Sequence, residues 1–548
     1  MSFKAMLVSA LAGGAGWTYA TQDAWTRASF LQAAAVLLLT QMVLYGIYDV
    51  LVYPKWFSPL RHLPTAPNSH WLMGHGLKIL SDKPGAPMRE WALTIPNDGL
   101  IRYYWFFNRE RLLVTSPKAL GEVLTTNSYS FQKPENVKTF LGRILGYGVL
   151  VAEGDEHKRQ RRNLMPAFAF RHIKDLYPVF WDKAREVVQA MTQECGTRGE
   201  AEVEISEWAS RVTLDIIGVA GLGRDFKAIQ DEHNDLVQTY QFLFKPKPPS
   251  KVMMLLATFV PTWVLYQLPL KLNKEVDKAA QTIRAVCRDL IREKKHKMMA
   301  NKERTDVDIL SVAIESGQFT DENLVDQLMT FLAAGHETTA TALTWAIYFL
   351  CRSPELQTRL RNEVRERLPS TDDVGTTITS LDIDRMPYLN AVCNEVLRYF
   401  SPVPMTVRET AHDTTIQGVR VPKGVRISLS PFANNVDPKL WGPDAGEFNP
   451  DRWISADGLS DESNRKAASG GAESNYAFMT FLHGPRSCIG ASFAKAEFAC
   501  LLAAWVGRFE FELVNEEEKD LDKVDIKGGV TARPANGLHV RTKVLPGY

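Results

Sequence analysis

The longest apolar stretch of the chain comes early. From Ala28 to Tyr53 it reads ASFLQAAAVLLLTQMVLYGIYDVLVY, with Asp49 as the only charge. A helix of about 26 residues at ~1.5 Å each is long enough to cross a hydrocarbon core of about 30 Å. Tyr45, Tyr48, Tyr53 and Trp56 suit a membrane interface, and Lys55 and Arg61 follow as a basic flank. The stretch Ala5 to Ala20 is also apolar, but Gly13, Gly14 and Gly16 make it a weaker candidate span. One span leaves the amino terminus across the membrane from the body; two return it to the same side. Next come Pro54, Pro59, Pro64 and Pro67, which disfavour helix and predict a stiff hinge. The pattern divides the chain into an anchor (1–53), a proline-rich hinge (54–68) and a body (69–548).

Within the body, the runs 101–107 and 111–116 predict a strand hairpin. In Ser353 to Leu368, Leu356, Leu360, Val364 and Leu368 recur every four residues behind Ser-Pro, which predicts a capped amphipathic helix. Asp326 to Leu350 is a long, mostly apolar helix interrupted by Gly335, His336, Glu337, Thr338 and Thr339. Strand-like pieces return after 402, as in TTIQGVRVPKG, and residues 454–475 are polar enough for a surface insertion. The pattern predicts one α+β body, mainly helical.

Composition narrows the function. The 548 residues carry a net charge of +1, which excludes the basic surplus of a nucleic-acid reader. The six cysteines form no CxxC pair, so neither a zinc ribbon nor a thioredoxin-type motif is written here. That absence, with the lack of N-x-[ST] sequons, fits a cytosol-facing body. His336-Glu337 begins like the zinc motif H-E-x-x-H, but Ala340 stands where the second histidine is required.

Candidate chemistry concentrates in FLHGPRSCIG, Phe481 to Gly490. A thiolate there could ligate a soft metal or a haem iron, act as a nucleophile, or be a structural thiol. Zinc would need further ligands, and none stands nearby at the right spacing. A haem needs one strong protein ligand. Gly484 and Gly490 let peptide N–H groups approach the sulfur, Arg486 is available to a propionate, and Phe481 can pack beneath the ring.

The pattern F-x-x-G-x-R-x-C-x-G resembles the haem-binding loop of cytochromes P450. Further stretches are similar to that family. Glu395 and Arg398 in AVCNEVLRYF, with Arg452 in FNPDRW, resemble its Glu-Arg-Arg structural cluster. Ala334 to Thr338 resembles its oxygen-activating motif, with Thr338 and Glu337 in the catalytic positions. GDEHKRQRR resembles the helix that carries W-x-x-x-R; it places His157 at the tryptophan position and Arg161 at the arginine. Arg408 matches a strand arginine that meets a propionate, and TARPANGLHV resembles the closing hairpin.

The resemblance implies the cytochrome P450 fold, with haem b held by Cys488 as iron ligand and by Phe481, Gly484, Arg486, Gly490, His157, Arg161 and Arg408. It implies a monooxygenase that inserts one oxygen atom from O2 into a lipophilic small molecule, a secondary metabolite or lipid. Electrons would come from NADPH through a separate NADPH–cytochrome P450 reductase, with cytochrome b5 as a second donor. Lys158, Arg159, Arg162 and Lys495 would form the docking face. Substrate contacts would come from 137–149, Phe331, Ala334, 403–407 and Val530. The anchor implies the endoplasmic reticulum, with the body facing the cytosol. Two alternatives stand beside this reading: an isomerase or dehydratase of the same fold needing no external electrons, and a non-enzymatic haem- or membrane-binding protein.

Overall fold

The structure, a computed structural model, describes residues 3–20, 27–231, 233–244, 260, 262–300, 308–455 and 461–548. Eight helices matter for the site: α1 (Phe3–Ala20), α2 (Arg27–Ile47), α3 (Gly154–Leu164), α4 (Tyr177–Cys195), α5 (Ile205–Ile216), α6 (Asp321–Arg352), α7 (Pro387–Tyr399) and α8 (Ala491–Arg508).

The body is built around α6. The Thr320 hydroxyl accepts the Asn323 N–H at its start, and Asp321 and Glu322 occupy its positive first turn. Its 32 residues span about 48 Å. Between Leu324 and Cys351 every residue is buried except Asp326, Ala334, Gly335 and Thr338. A helix that is apolar around most of its circumference needs cover on several sides. Helices α5, α7 and α8 all pack against it. Helix α4 closes over α8, with Phe180 edge-on to Phe493 at 5.0 Å between ring centres.

Strands β1 (Leu100–Tyr104), β2 (Glu110–Val114), β3 (Phe131–Gln132), β5 (Thr406–Thr410) and β8 (Arg426–Leu429) form a sheet in the order β1-β2-β8-β5-β3. The hairpin expected at 101–116 is β1–β2. Strand β4 (Glu200–Glu204) joins β9 (Phe509–Leu513) and β12 (His539–Val544) in the order β4-β12-β9. Strands β6 (Thr414–Ile416) and β7 (Val419–Val421) form a hairpin. Its two turn residues, Gln417 and Gly418, have φ of 50° and 78°, which matches the twist that a tight hairpin demands.

Some expectations come out differently. TARPANGLHV is not one hairpin. Its first half is β11 (Ala532–Pro534), paired with β10 (Ile526–Gly528), and its second half enters β12 in another sheet. The proline-rich stretch 54–68 packs on the body along part of its length. Helical structure runs on as a π-helix from Tyr48 to Phe57, widened around Pro54, and Leu60 and Ala66 are buried in the body. Arg102 donates to the Pro54 carbonyl at 3.1 Å and pairs with Glu110, which accepts the Ser58 hydroxyl. The polar stretch at 454–475 carries a helix, Asp461–Ala468; its residues 456–460 lie outside those described.

One described helical segment, Ala28–Phe57, is long and apolar enough to cross a membrane.

Candidate functional site

The loop before α8 is set by its own backbone. The Cys488 N–H donates to the Phe481 carbonyl at 2.8 Å, and the Ser487 N–H to the Gly484 carbonyl at 3.0 Å. Leu482 and Gly484 both have positive φ, 55° and 74°. Glycine is required at 484 for a second reason: a Cβ there would lie 2.1 Å from the Leu124 carbonyl oxygen, a backbone atom with nowhere to go. Gly484→Ala is therefore expected to cost well above the roughly 1–2 kcal/mol of a left-handed alanine alone. A thermal-unfolding comparison with the parent protein checks this.

Gly490 is different. Its φ is −92°, and a Cβ would make only ordinary contact with Phe168. Its contribution is the N–H, which bonds the Cys488 sulfur.

Of the six cysteines, Cys488 is the exposed one. Dense protein nonetheless surrounds its sulfur and pushes the thiol up. The Gly490 N–H and the nearby Arg161 act in the opposite direction. The start of α8, three residues on, adds its positive end. These groups favour a thiolate once a cation binds it.

Several cations converge near this loop. Arg161, on α3, donates to the Ser487 carbonyl at 2.6 Å and so clamps the loop. Arg486 pairs with Glu153 and stacks over Tyr129. Buried Arg408, on β5, donates to the Val407 carbonyl at 2.9 Å; burial, then Arg486, lower it to about 10. Lys133 is lowered to about 7 by burial and by Arg408. His157 faces Tyr129 at 3.1 Å; burial, then Arg486, Lys133 and Arg161, lower it to about 4, so it is neutral at ordinary pH.

Lys133, Arg408 and Arg486 thus gather around one carboxylate, Glu153, while Arg161 sits on the Cys488 loop. Nε and Nη1 of Arg486 are buried without a partner among the described residues. A cofactor carrying two carboxylates and a thiolate-seeking metal fits this donor set, and haem is such a group. Lys133, Glu153 and Tyr129 were not among the residues singled out from the sequence. The one available pointer was that Glu153 directly precedes the α3 motif.

Helix α6 presents Ala334 as exposed surface in its otherwise buried middle, with Gly335 and Thr338 partly exposed beside it. The Thr338 hydroxyl donates to the Ala334 carbonyl at 2.9 Å. Glu337 is buried, ion-paired with Arg533 at 2.9 Å and accepting the Thr531 hydroxyl at 2.9 Å. Gly335 makes room for the side chain of Ile217, 3.0 Å from where a Cβ would sit. Phe331 packs edge-on against Phe168 at 5.4 Å. Glu497, wholly buried on α8, is pushed well up by burial, with the Thr339 hydroxyl opposing.

His336 is a packed core residue. Its Nδ1 lies 2.6 Å from the Leu332 carbonyl, Tyr240 covers the ring, and burial lowers it to about 4. A histidine held neutral in the fold favours the unfolded chain once that chain protonates near pH 6.5. Stability from this group is therefore complete above pH 6.5 and is lost as pH falls towards 4, by up to about 3 kcal/mol. Denaturant unfolding from pH 7 to pH 4.5 should show a smaller acid loss in His336→Phe than in the parent protein.

Glu395, Arg398 and Arg452 do meet. Glu395 and Arg398 are wholly buried at 2.8 Å, and Arg452 reaches Glu395 at 3.2 Å. In the supposed docking face, Lys158 and Arg159 pair with Asp155 and Glu156 on their own helix. Lys495 lies across Phe478 and Phe481.

Comparison with known proteins agrees with this geometry. The cytochrome P450 family pattern matches residues 64–539. The chain is 48% identical to cytochrome P450 monooxygenase sphH of Aspergillus fumigatus over 521 residues, 94% of each chain. It is 45% identical to cytochrome P450 monooxygenase ALT8 of Alternaria alternata, over 95% of this chain and 96% of that one. It is also 45% identical to cytochrome P450 monooxygenase FUM15 of Gibberella moniliformis, over 92% and 91%. With a thiol loop, a cation cradle and full-length similarity in agreement, the chain belongs to the cytochrome P450 family of haem-thiolate monooxygenases.

Proposed function

We propose that this chain is anchored by α2 in the endoplasmic reticulum membrane, with residues 69–548 as its catalytic body in the cytosol. It inserts one oxygen atom of O2 into a lipophilic small molecule, a secondary metabolite or lipid. The other oxygen leaves as water, and NADPH supplies two electrons through a separate reductase, with cytochrome b5 as an alternative donor. The observation that carries this reading is the Cys488 loop: an accessible thiol with a peptide N–H on its sulfur, beside cations that outnumber the one carboxylate among them.

Cys488 would hold the haem iron, and Arg486, Arg408 and neutral His157 would meet the propionates. Arg161 keeps the loop in place through Ser487. Bound haem supplies oxygen activation, which thiolate donation directs towards O–O cleavage. The protein's own part is proton handling and exclusion of water. Thr338 lies on the inward surface of α6 and can offer its hydroxyl by rotating away from the Ala334 carbonyl. Glu337 can pass a proton towards it only by leaving Arg533 and Thr531, so that pair sets when the carboxylate is available. The exposed Ala334 methyl suits an apolar substrate.

Reconstitution with a reductase, NADPH and labelled O2 tests the reaction. One labelled oxygen per product is expected, and turnover without NADPH would favour the isomerase or dehydratase. In the same assay Thr338→Ala should keep consuming NADPH while product per NADPH falls on the order of 100-fold. Unchanged coupling would remove Thr338 from the mechanism.

A further inference from the structure

We propose that α1 and α2 insert into the membrane together as a helical hairpin, so that the amino terminus lies on the same side as the catalytic body. This deepens the anchor reading and rests on it.

The two helices are packed on each other in the way that lipid requires. Between apolar helices in a bilayer, close approach of small residues replaces the hydrophobic effect as the attraction. A Cβ at Gly13 would lie 2.9 Å from a methyl of Leu37, and one at Gly14 would lie 3.0–3.2 Å from the Cβ, N and Cα of Ala34. Met6, Ala10 and Ala34 are buried between the helices. Two polar groups are satisfied within the pair, as a dry surrounding favours. The Ser9 hydroxyl lies 3.1 Å from Oε1 of Gln41 on the other helix, and the Thr18 hydroxyl donates back to the Gly14 carbonyl at 3.0 Å.

The outward surfaces are mostly apolar on both helices, with Ser9, Gln32 and Thr40 as exposed polar exceptions. Leu7, Val8, Leu11 and Trp17 face out from α1, and Leu31, Val36 and Leu39 begin a longer exposed run on α2. With 18 and 21 residues, the helices are about 27 and 32 Å long, close to the hydrocarbon thickness; by hydropathy α1 is the less apolar of the two and enters as the partner of α2. Charge sorts by end. Lys4 at the open end of the hairpin joins Lys55 and Arg61 beyond α2, while the stretch between the helices and the start of α2 carry Arg27 as the single basic residue. Basic residues concentrate on the cytosolic side of membrane spans, so the open end belongs there. The open end is also fixed to the body: Asn108 donates to the Val50 carbonyl and Arg102 to the Pro54 carbonyl.

The experiment uses the full chain expressed in yeast microsomes. First, alkaline carbonate extraction reads the anchor; release of the protein would sink the anchor reading itself. In protein that stays bound, two probes read the hairpin. An N-terminal extension carrying an N-glycosylation acceptor on a long spacer should remain unmodified. The Ala24→Cys variant should escape a membrane-impermeant maleimide in sealed microsomes and react once they are opened. A glycosylated extension would mean a single span and overturn the hairpin. Labelling of Ala24→Cys in sealed microsomes, above the parent protein's background, would place α1 outside the membrane and overturn it equally.

Discussion

Cys488→Ala is expected to abolish the thiolate-type absorption band of the reduced, carbon-monoxide-bound protein, and with it all NADPH-dependent oxygen incorporation. The argument is one of exclusion as much as of placement. No second thiol can take over. Cys195, Cys287, Cys351, Cys393 and Cys500 are buried, and burial pushes every one of these thiols up, Cys287 to about 12. Cys488 alone combines accessible surface, a peptide N–H on sulfur and a nearby guanidinium. The substitution removes one sulfur atom and leaves the Phe481 carbonyl bond to the residue 488 N–H intact, so the loop should keep its shape. Cys488→His separates ligation from folding: it should hold haem with an imidazole-type spectrum and no monooxygenase activity. A thiolate-type band surviving in Cys488→Ala would assign the iron to another cysteine.

What could be read from the chain was what is contiguous in it. The Cys488 loop, the α6 motif and the β6–β7 turn carry their chemistry within a few residues of one another, and the geometry then follows from local backbone demands such as the positive φ of Gly484. The Glu395 cluster was legible because each part lies in a recognisable stretch. Groups that meet only through tertiary packing were not. Lys133 follows β3 and Glu153 precedes α3, yet both face Arg486, and no spacing announces this. The partner of Glu337 is Arg533, nearly two hundred residues on, brought there by the strand that begins at Ala532. The packing of the proline-rich stretch after the anchor was not legible for a related reason. Proline restricts its own backbone but does not prevent a segment from packing, and Leu60 and Ala66 are covered by the body.

Glu395→Gln is expected to destabilise the folded protein by about 3–5 kcal/mol, the range for breaking a buried ion pair from one side. Glu395 holds its neighbours from every direction. Both its oxygens accept from Arg398 at 2.8 Å; Oε1 also takes the Asn449 N–H at 2.7 Å and Arg452 at 3.2 Å, and Oε2 the Trp453 indole N–H at 2.9 Å. Glutamine keeps the shape but removes the charge, and it brings an NH2 group to face donors. Arg398 and Arg452 would then be cations in the interior without their shared anion. Neither can move to water: Arg398 is wholly buried and donates to the carbonyls of Asn435, Ala445 and Glu447, and the side chain of Arg452 is 5% exposed. The three sites should rank. Arg398→Ala orphans three carbonyls as well as Glu395, so it should match or exceed Glu395→Gln. Arg452→Ala should cost least, because Glu395 keeps Arg398. Denaturant unfolding gives the order, and haem content gives a second reading, since Asn435, bonded to Arg398 through its carbonyl, accepts the Met479 N–H just before the Cys488 loop. Equal stability of Glu395→Gln and the parent protein would remove the cluster from the framework of the fold.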